Sequence, residues 1–290
     1  FHTAARRLSF TKAAQELLIS QPAVTKHIKE IEQYFKVALF ERNGSKLKLT
    51  AAGRLLLQHT ETLFALYRTI DFDMHALGQQ QSGSLRIGAS TTVSNYILPQ
   101  AIAAFRRKFS GIQLSVTTAN TEQTEDAVLD NEVDLGIIEG KSRKAGLQYT
   151  DFLKDELVLV TGAQSRFATK KSVTVEELRK MPVVLREAGS GTLDVIAHAL
   201  KPLGLTPGDL TIDVKLDSSE SIKGYLQHSN SVAFLSVHAV GSQALNKDFC
   251  SIEIKGFRMQ RLFYFIRRQG EAAALPALFM RFAKHYNFKL

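Results

Sequence analysis

Two hydroxyl- and glycine-rich stretches of this 290-residue chain could do binding chemistry, Ser90-Thr91-Thr92 and Gly189-Ser190-Gly191-Thr192. Each follows a β-rich run and precedes a helical pattern. A loop in that position offers hydroxyls and free backbone N–H groups at the positive end of a helix, which suits an anion. Ordinary helix capping uses the same residues, so either loop alone leaves both uses open. Thr121 and Glu139 stand at the ends of two other strand candidates and are expected to add to the walls of such a site. A third constellation is basic. If residues 21–36 form a helix, Pro22, Thr25, Lys26, Lys29, Gln33 and Lys36 gather in an arc of about 100° with no acid inside it. Val24, Ile28, Ile31 and Phe35 then form a core-facing stripe on the other side. A solvated face usually mixes charge signs, so a face sorted in this way suits phosphates and base edges.

Local elements must position that face. Thr11 is a plausible N-cap for a short helix over Lys12–Leu18, and Ile19-Ser20 makes a tight turn. Ser20 then caps the second helix, with Gln21-Pro22 in its first turn, where proline loses no hydrogen bond. The N-terminal residues of such a helix enter the major groove, so Gln21, Pro22, Thr25 and Lys26 are base-edge candidates and Lys29 a phosphate contact, with Thr11 a further DNA-contact candidate. Residues 40–49 read as a hairpin about Asn43-Gly44, with Lys46 and Lys48 alternating outward as a basic wing. Arg42 serves either the wing's phosphate contacts or packing and a salt bridge.

Composition agrees with this division. Of a net charge of +9, residues 1–54 hold ten Lys/Arg and four acids, or +6, which leaves +3 for the rest. A basic module on a near-neutral body is the footprint of phosphate binding. The length predicts two or more domains. No apolar run reaches the length of a membrane span. The single cysteine, Cys250, excludes an internal disulfide and fits a reducing cytoplasm.

Behind the basic module, Ala51–Gln81 has no proline, and Leu56, Leu63, Ile70 and Leu77 recur every seven residues. Tyr67 and Met74 fall four positions after Leu63 and Ile70. That seam predicts a helix of about 45 Å that pairs with a second copy. Gln80-Gln81-Ser82-Gly83-Ser84 then reads as a polar joint. Beyond it, short apolar runs alternate with helical patterns, which implies an α/β body with mostly parallel sheet.

These residues together resemble a known family. Ser9-Phe10-Thr11 with Ala13-Ala14, Ser20-Gln21-Pro22-Ala23-Val24-Thr25, Leu39-Phe40 with Arg42, and Leu49-Thr50 with Gly53 are similar to the winged helix-turn-helix of LysR-type transcriptional regulators. The stretch Gly88-Ala89-Ser90-Thr91-Thr92, then Asp134-Leu135-Gly136-Ile137 and Asp155-Glu156-Leu157-Val158, looks like that family's effector domain. The resemblance implies a winged helix-turn-helix over 1–50 and a linker and dimerisation helix with hinge over 51–82. It further implies an effector domain over 83–290 of two Rossmann-like α/β subdomains, resembling type 2 periplasmic binding proteins. Subdomain I is expected at 83–152 and 262–290 and subdomain II at 153–261, with chain crossings near 150–155 and 256–268. The partners it implies are promoter DNA, RNA polymerase, a second copy in a homodimer or homotetramer, and a small anionic or polar effector between the subdomains. No cofactor, metal or membrane contact is expected. In relatives of this kind, effector binding reorients the subdomains and alters DNA bending.

Enzyme readings find little support. Gly189-Ser190-Gly191-Thr192 is not a nucleophile elbow, and no phosphate loop, dinucleotide glycine fingerprint or His-Glu-x-x-His occurs. A constitutive, nucleoid-type DNA-binding protein is the alternative, since basic charge alone binds DNA without sequence preference.

Overall fold

The computed structural model describes residues 1–43, 46–77, 82–141, 143–244, 247–270 and 273–288. The chain divides into two compact units, Phe1–Ile70 and Asp71–Leu290.

In the first unit, α1 (His2–Arg7), α2 (Phe10–Leu17) and α3 (Gln21–Phe35) precede a hairpin of β1 (Phe40–Asn43) and β2 (Lys46–Leu49); α4 (Ala51–Leu77) follows, and the unit boundary falls within it. Ala4, Ala13 and Ala14 are small enough to bring the three helices together around Val24 and Ile28. The N-cap of α2 is Ser9, not Thr11: the extended Ser9 backbone turns its hydroxyl to accept from the Lys12 N–H at 3.3 Å. Thr11 therefore sits exposed in the first turn. Ser20 caps α3 as expected, accepting from Ala23. Phe35 departs from its expected place in the core and is 54% exposed. Lys36 ends α3 in a left-handed conformation (φ 55°), so its last turn projects beyond the packed stripe. Glu32 does structural work instead, its Oε1 accepting the N–H groups of Leu39 (2.7 Å) and Phe40 (3.3 Å) and tying the hairpin to α3. The hairpin turn at Gly44-Ser45 and the joint at Gln80-Gln81 lie outside the described residues. Gly53 is required by close approach: a Cβ there would lie 2.1 Å from the Leu39 carbonyl oxygen.

The second unit contains β3 (Gly83–Ser90), a π-helical turn (Val93–Ile97) leading into α5 (Leu98–Lys108), β4 (Ile112–Ala119), α6 (Thr121–Leu129) and β5 (Leu135–Glu139). Next come β6 (Leu147–Gly162), β7 (Ser172–Val173), α7 (Val175–Arg179), β8 (Val183–Arg186), α8 (Gly191–Leu200) and β9 (Ile212–Leu216). The unit closes with α9 (Ser219–Leu226), β10 (Val232–Ser236), α10 (Val237–Ala244), β11 (Phe249–Ile254), β12 (Met259–Arg268) and α11 (Ala274–Lys284). One sheet runs β4-β3-β5-β12-β6-β10-β8-β9, with β11 also on β6.

The expected parallel pairing holds at both ends of this sheet and fails at its centre. There β6 runs antiparallel to β12, β10 and β11, and β12 runs antiparallel to β5. β6 is sixteen residues long, far more than the short runs expected of the body. Its first part pairs with β12 and its last part with β10 and β11, so one strand serves two halves. Each half has its own core, one around Phe105, Phe263, Phe265 and Phe279, the other around Leu159, Val195, Ile196 and Phe234. The chain passes between the halves along β6 and β12. A register shift lies on this ribbon: Phe263 pairs with Leu153 and Tyr264 with Asp151, leaving Phe152 without an opposite residue.

Candidate functional site: a reading head and a cleft

Gln21, Pro22, Lys26 and Lys29 are exposed on α3 and Thr25 is half-buried, while Val24 and Ile28 hold the opposite side of the helix in the core. The face carries its own bracing: Gln21 Nε2 donates to Thr25 Oγ1 (2.8 Å), and that hydroxyl donates to the Gln21 carbonyl (3.1 Å). This pair fixes the Gln21 amide at the helix start, where it can face a base edge. On the wing, exposed Lys46 and Lys48 alternate with half-buried Leu47 and Leu49. Arg42 pairs with Leu47, whereas Lys46 and Lys48 pair with Asn43 and Glu41, so Arg42 lies on the other face of the hairpin. It is exposed there.

Sequence reading missed α1, which braces this unit. Glu61 of α4 is buried, with Oε1 2.7 Å from His2 Nε2 and 3.2 Å from Arg6 Nε. Further along α4, Leu63, Tyr67, Ile70 and Met74 are each more than half exposed, and Leu56 is half-buried. The side chain of Leu77 lies outside the described residues.

In the second unit the two hydroxyl loops meet. Glu139, at the end of β5 and 1% exposed, is the centre on which they converge rather than part of the wall. Ser90 donates to its Oε2, and Thr92 (3.4 Å) and Thr192 (3.3 Å) donate to its Oε1. Thr121, at the start of α6, donates to the Glu139 carbonyl at 2.9 Å. Gly191 lets α8 start against this point, since a Cβ on it would lie 2.1 Å from the same carbonyl oxygen. Gly189 adopts φ 80°, and its carbonyl accepts from the Glu122 N–H at 3.1 Å.

The residue that sequence reading did not name is Arg261. Its guanidinium lies under Glu139, with Nη1 2.9 Å from Thr192 Oγ1 and 3.5 Å from Glu139 Oε1. Nε donates to Asp155 Oδ2 at 2.6 Å, and the other Asp155 oxygen accepts from Ser236 at 2.7 Å. Arg261 and Asp155 are directly paired across β12 and β6, at the passage between the halves. His238 stands next to this cluster, and burial holds its pKa below the usual histidine value against the opposing charge of Asp155. Arg261 Nη2, Ser190 Oγ and Thr91 Oγ1 are buried with no hydrogen-bond partner among the described residues. The available signal was an arginine set directly against the apolar run Leu262–Ile266.

Both flanks of the cleft are bridged. On one, Tyr96 donates to Glu220, whose other neighbour is Lys223 Nζ at 3.0 Å. Burial, reinforced by Glu220, raises the Tyr96 pKa. Burial also opposes ionisation of Glu220, but the hydrogen bonds from Tyr96 and Lys223 outweigh it and lower that pKa. On the other flank, the Lys141 N–H donates to Asp194 Oδ2 at 2.5 Å and Asn120 Nδ2 to the Ala188 carbonyl at 3.4 Å. A cavity of about 530 Å³ opens on this side, with Thr121, Ser190 and Gly191 among its lining residues.

Two family models match the chain. "Bacterial regulatory helix-turn-helix protein, lysR family" covers residues 1–54, and "LysR substrate binding domain" covers residues 78–287. The chain is 30% identical over 258 residues to the HTH-type transcriptional regulator CysL of Bacillus subtilis, covering 89% of this chain and 85% of that protein. Its fold is similar to a full-length OxyR variant from Pseudomonas aeruginosa, with a TM-score of 0.74 and 21% identity over 98% of this chain and 92% of that one. It is also similar to the CcmR regulatory domain of Synechocystis in complex with 2-PG, with a TM-score of 0.62 and 24% identity over 69% of this chain and 95% of that one. No described helix is long and apolar enough to cross a membrane. A DNA-reading head and an α/β receptor in one polypeptide, each matched by the corresponding family model, make this chain a member of the LysR family, transcriptional regulators that bind DNA under the control of a small-molecule effector.

Proposed function

We propose that the effector is a small anionic metabolite, a carboxylate or phosphorylated carboxylate, held in the cleft between the two halves of the second unit. One observation carries this reading: among the described residues the buried guanidinium of Arg261 keeps an Nη2 without a partner, and so do Ser190 Oγ and Thr91 Oγ1 on the two hydroxyl loops. A buried donor without an acceptor costs free energy, and an anion arriving at a helix start and a guanidinium satisfies several donors together. The CcmR regulatory domain, which has a similar fold, was solved in complex with a small molecule, 2-PG, and this supports a small-molecule occupant.

The reading head binds promoter DNA through Gln21, Pro22, Thr25 and Lys26 at base edges and Lys29, Lys46 and Lys48 at phosphates. Two heads act together because the apolar stripe of α4 pairs with a second copy, which lets one dimer span two half-sites. Pairs of dimers assemble into tetramers in the cytoplasm, and effector binding changes DNA bending and access for RNA polymerase. Coupling between cleft and DNA is reciprocal, so operator DNA changes effector affinity by the same factor.

The test combines footprinting with calorimetry on the full chain. A defined, dyad-symmetric protected site that changes with 2-phosphoglycolate, together with loss of its binding in Arg261→Gln, is expected. Sequence-blind retardation of any DNA, or 2-phosphoglycolate binding unaffected by Arg261→Gln, overturns the reading.

A further inference from the structure

We propose that Glu139 is a resident anion, occupying the position that the effector's own anionic group takes, so that effector binding is an exchange of carboxylates. The inference rests on the cleft reading above and adds what must leave when the effector arrives.

The donor set argues for exchange. Glu139 accepts from Ser90, Thr92 and Thr192 and lies against Arg261 Nη1, which is the environment a bound carboxylate or phosphoryl group requires. The charges argue against simple addition. Glu139 and Asp155 already face one guanidinium, Arg261, while burial favours the neutral form of His238. A further anion beside an undisturbed Glu139 would meet net negative charge in a buried site. Once Glu139 withdraws, the same anion meets a guanidinium balanced by Asp155 alone. The spare donors give the incoming group its advantage. Arg261 Nη2, Ser190 Oγ and Thr91 Oγ1 are not satisfied by Glu139, and a larger anion with more oxygens can engage them as well.

The exchange has a structural output. Glu139 belongs to β5 in one half, whereas Thr192 belongs to α8 of the other half and Arg261 to the β12 ribbon that passes between them. Displacing its carboxylate removes a direct bridge between the halves and substitutes one through the effector. Effector chemistry is thereby converted into a change of contact between subdomains.

The experiment is calorimetric titration of the full chain with inorganic phosphate, comparing wild type with Glu139→Gln. The variant keeps the side-chain size and removes the competing charge, and at least tenfold tighter binding is expected. Glu139→Asp, which withdraws the carboxylate by one methylene, is the second variant and also tightens binding. Asp155→Asn removes an equal charge without freeing the hydroxyl donors that Glu139 occupies, and it tightens binding at least threefold less than Glu139→Gln does. Equal tightening by Asp155→Asn would show a general charge effect and overturn the exchange. Glu139→Gln binding phosphate no better than wild type, including no detectable binding by either, overturns it too. If in that case Arg261→Gln still weakens 2-phosphoglycolate binding to the wild-type background, the cleft reading stands and only the exchange falls. If Arg261→Gln changes nothing in either background, both fall.

Discussion

Replacing Arg261 by Met isolates the energetic role of the buried cluster. Arg261 is 4% exposed and, among the described residues, is the single cation paired with both Glu139 at 1% and Asp155 at 5%. Methionine fills much of the volume but leaves both carboxylates without their cation. Breaking a buried ion pair from one side costs about 3–5 kcal/mol, mostly the penalty of the abandoned charge. Hydroxyls from Ser90, Thr92, Thr192 and Ser236 remain on the carboxylates, which places the loss at the lower end, about 3 kcal/mol. For a unit of this size each kcal/mol shifts Tm by about 2–4 °C, so a fall of roughly 6–12 °C is expected by circular dichroism. The triple variant Arg261→Met, Glu139→Gln, Asp155→Asn has no stranded charge and should regain at least half of that loss. A single variant that melts within 2 °C of wild type (about 1 kcal/mol or less), or a triple variant no more stable than the single, would refute the view that the arginine's main structural task is to compensate two carboxylates.

Three other outcomes follow from the same geometry. Gly191→Ala forces a Cβ against the Glu139 carbonyl oxygen and should cost about 1–3 kcal/mol as an overpacked contact, read as a lower Tm; an unchanged Tm would show that α8 yields freely. Glu32→Ala, by releasing the N–H groups of Leu39 and Phe40, should lower stability of the head by about 1–3 kcal/mol and weaken operator binding although Glu32 faces the wing, and gel-shift affinity equal to wild type would discount the tether. For His238 the folded pKa lies below the unfolded value, so the folded state binds fewer protons; stability should therefore fall as pH drops below about 6.5 and through the folded pKa, and His238→Gln should flatten that slope in urea titrations.

The reading head was legible because its signals are local. Ser20, Pro22 and the stripe of Val24 and Ile28 act within a few residues of one another, so capping and helical phase suffice to orient them. The errors there were also local in cause. Ser9 lies two residues before Thr11 and captures the cap from it, and α1 is too short to announce itself. Phe35 obeys the phase of its helix but lies past the end of its partner's packing. The cleft was legible in part, since strand-to-helix loops carry hydroxyls that can be seen in the chain. Their convergence on Glu139 depends on β5, α8 and β12 meeting from distant sequence positions, and no short-range pattern encodes it. Arg261 and Asp155 were hidden for the same reason: they are 106 residues apart and meet only because β6 and β12 are paired.

The unpaired Phe152 has a consequence for how the two halves share one ribbon. Alternation along a strand is a parity rule, with odd residues on one face and even on the other. Tyr149 packs with Tyr264 and Ile266 in one layer, whereas Phe152 and Leu153 both pack in the layer of Phe263 and Phe265. The extra residue thus inverts the parity, and the odd positions after it, Asp155 included, face the opposite way from the odd positions before it. Each half can have its own pattern of inside and outside although a continuous strand writes both. Deleting Phe152 would set Leu153 directly after Asp151 in plain alternation, so Asp155 would still face Arg261 and what would be lost is the bulge and the second aromatic layer that Phe152 adds beside Phe265.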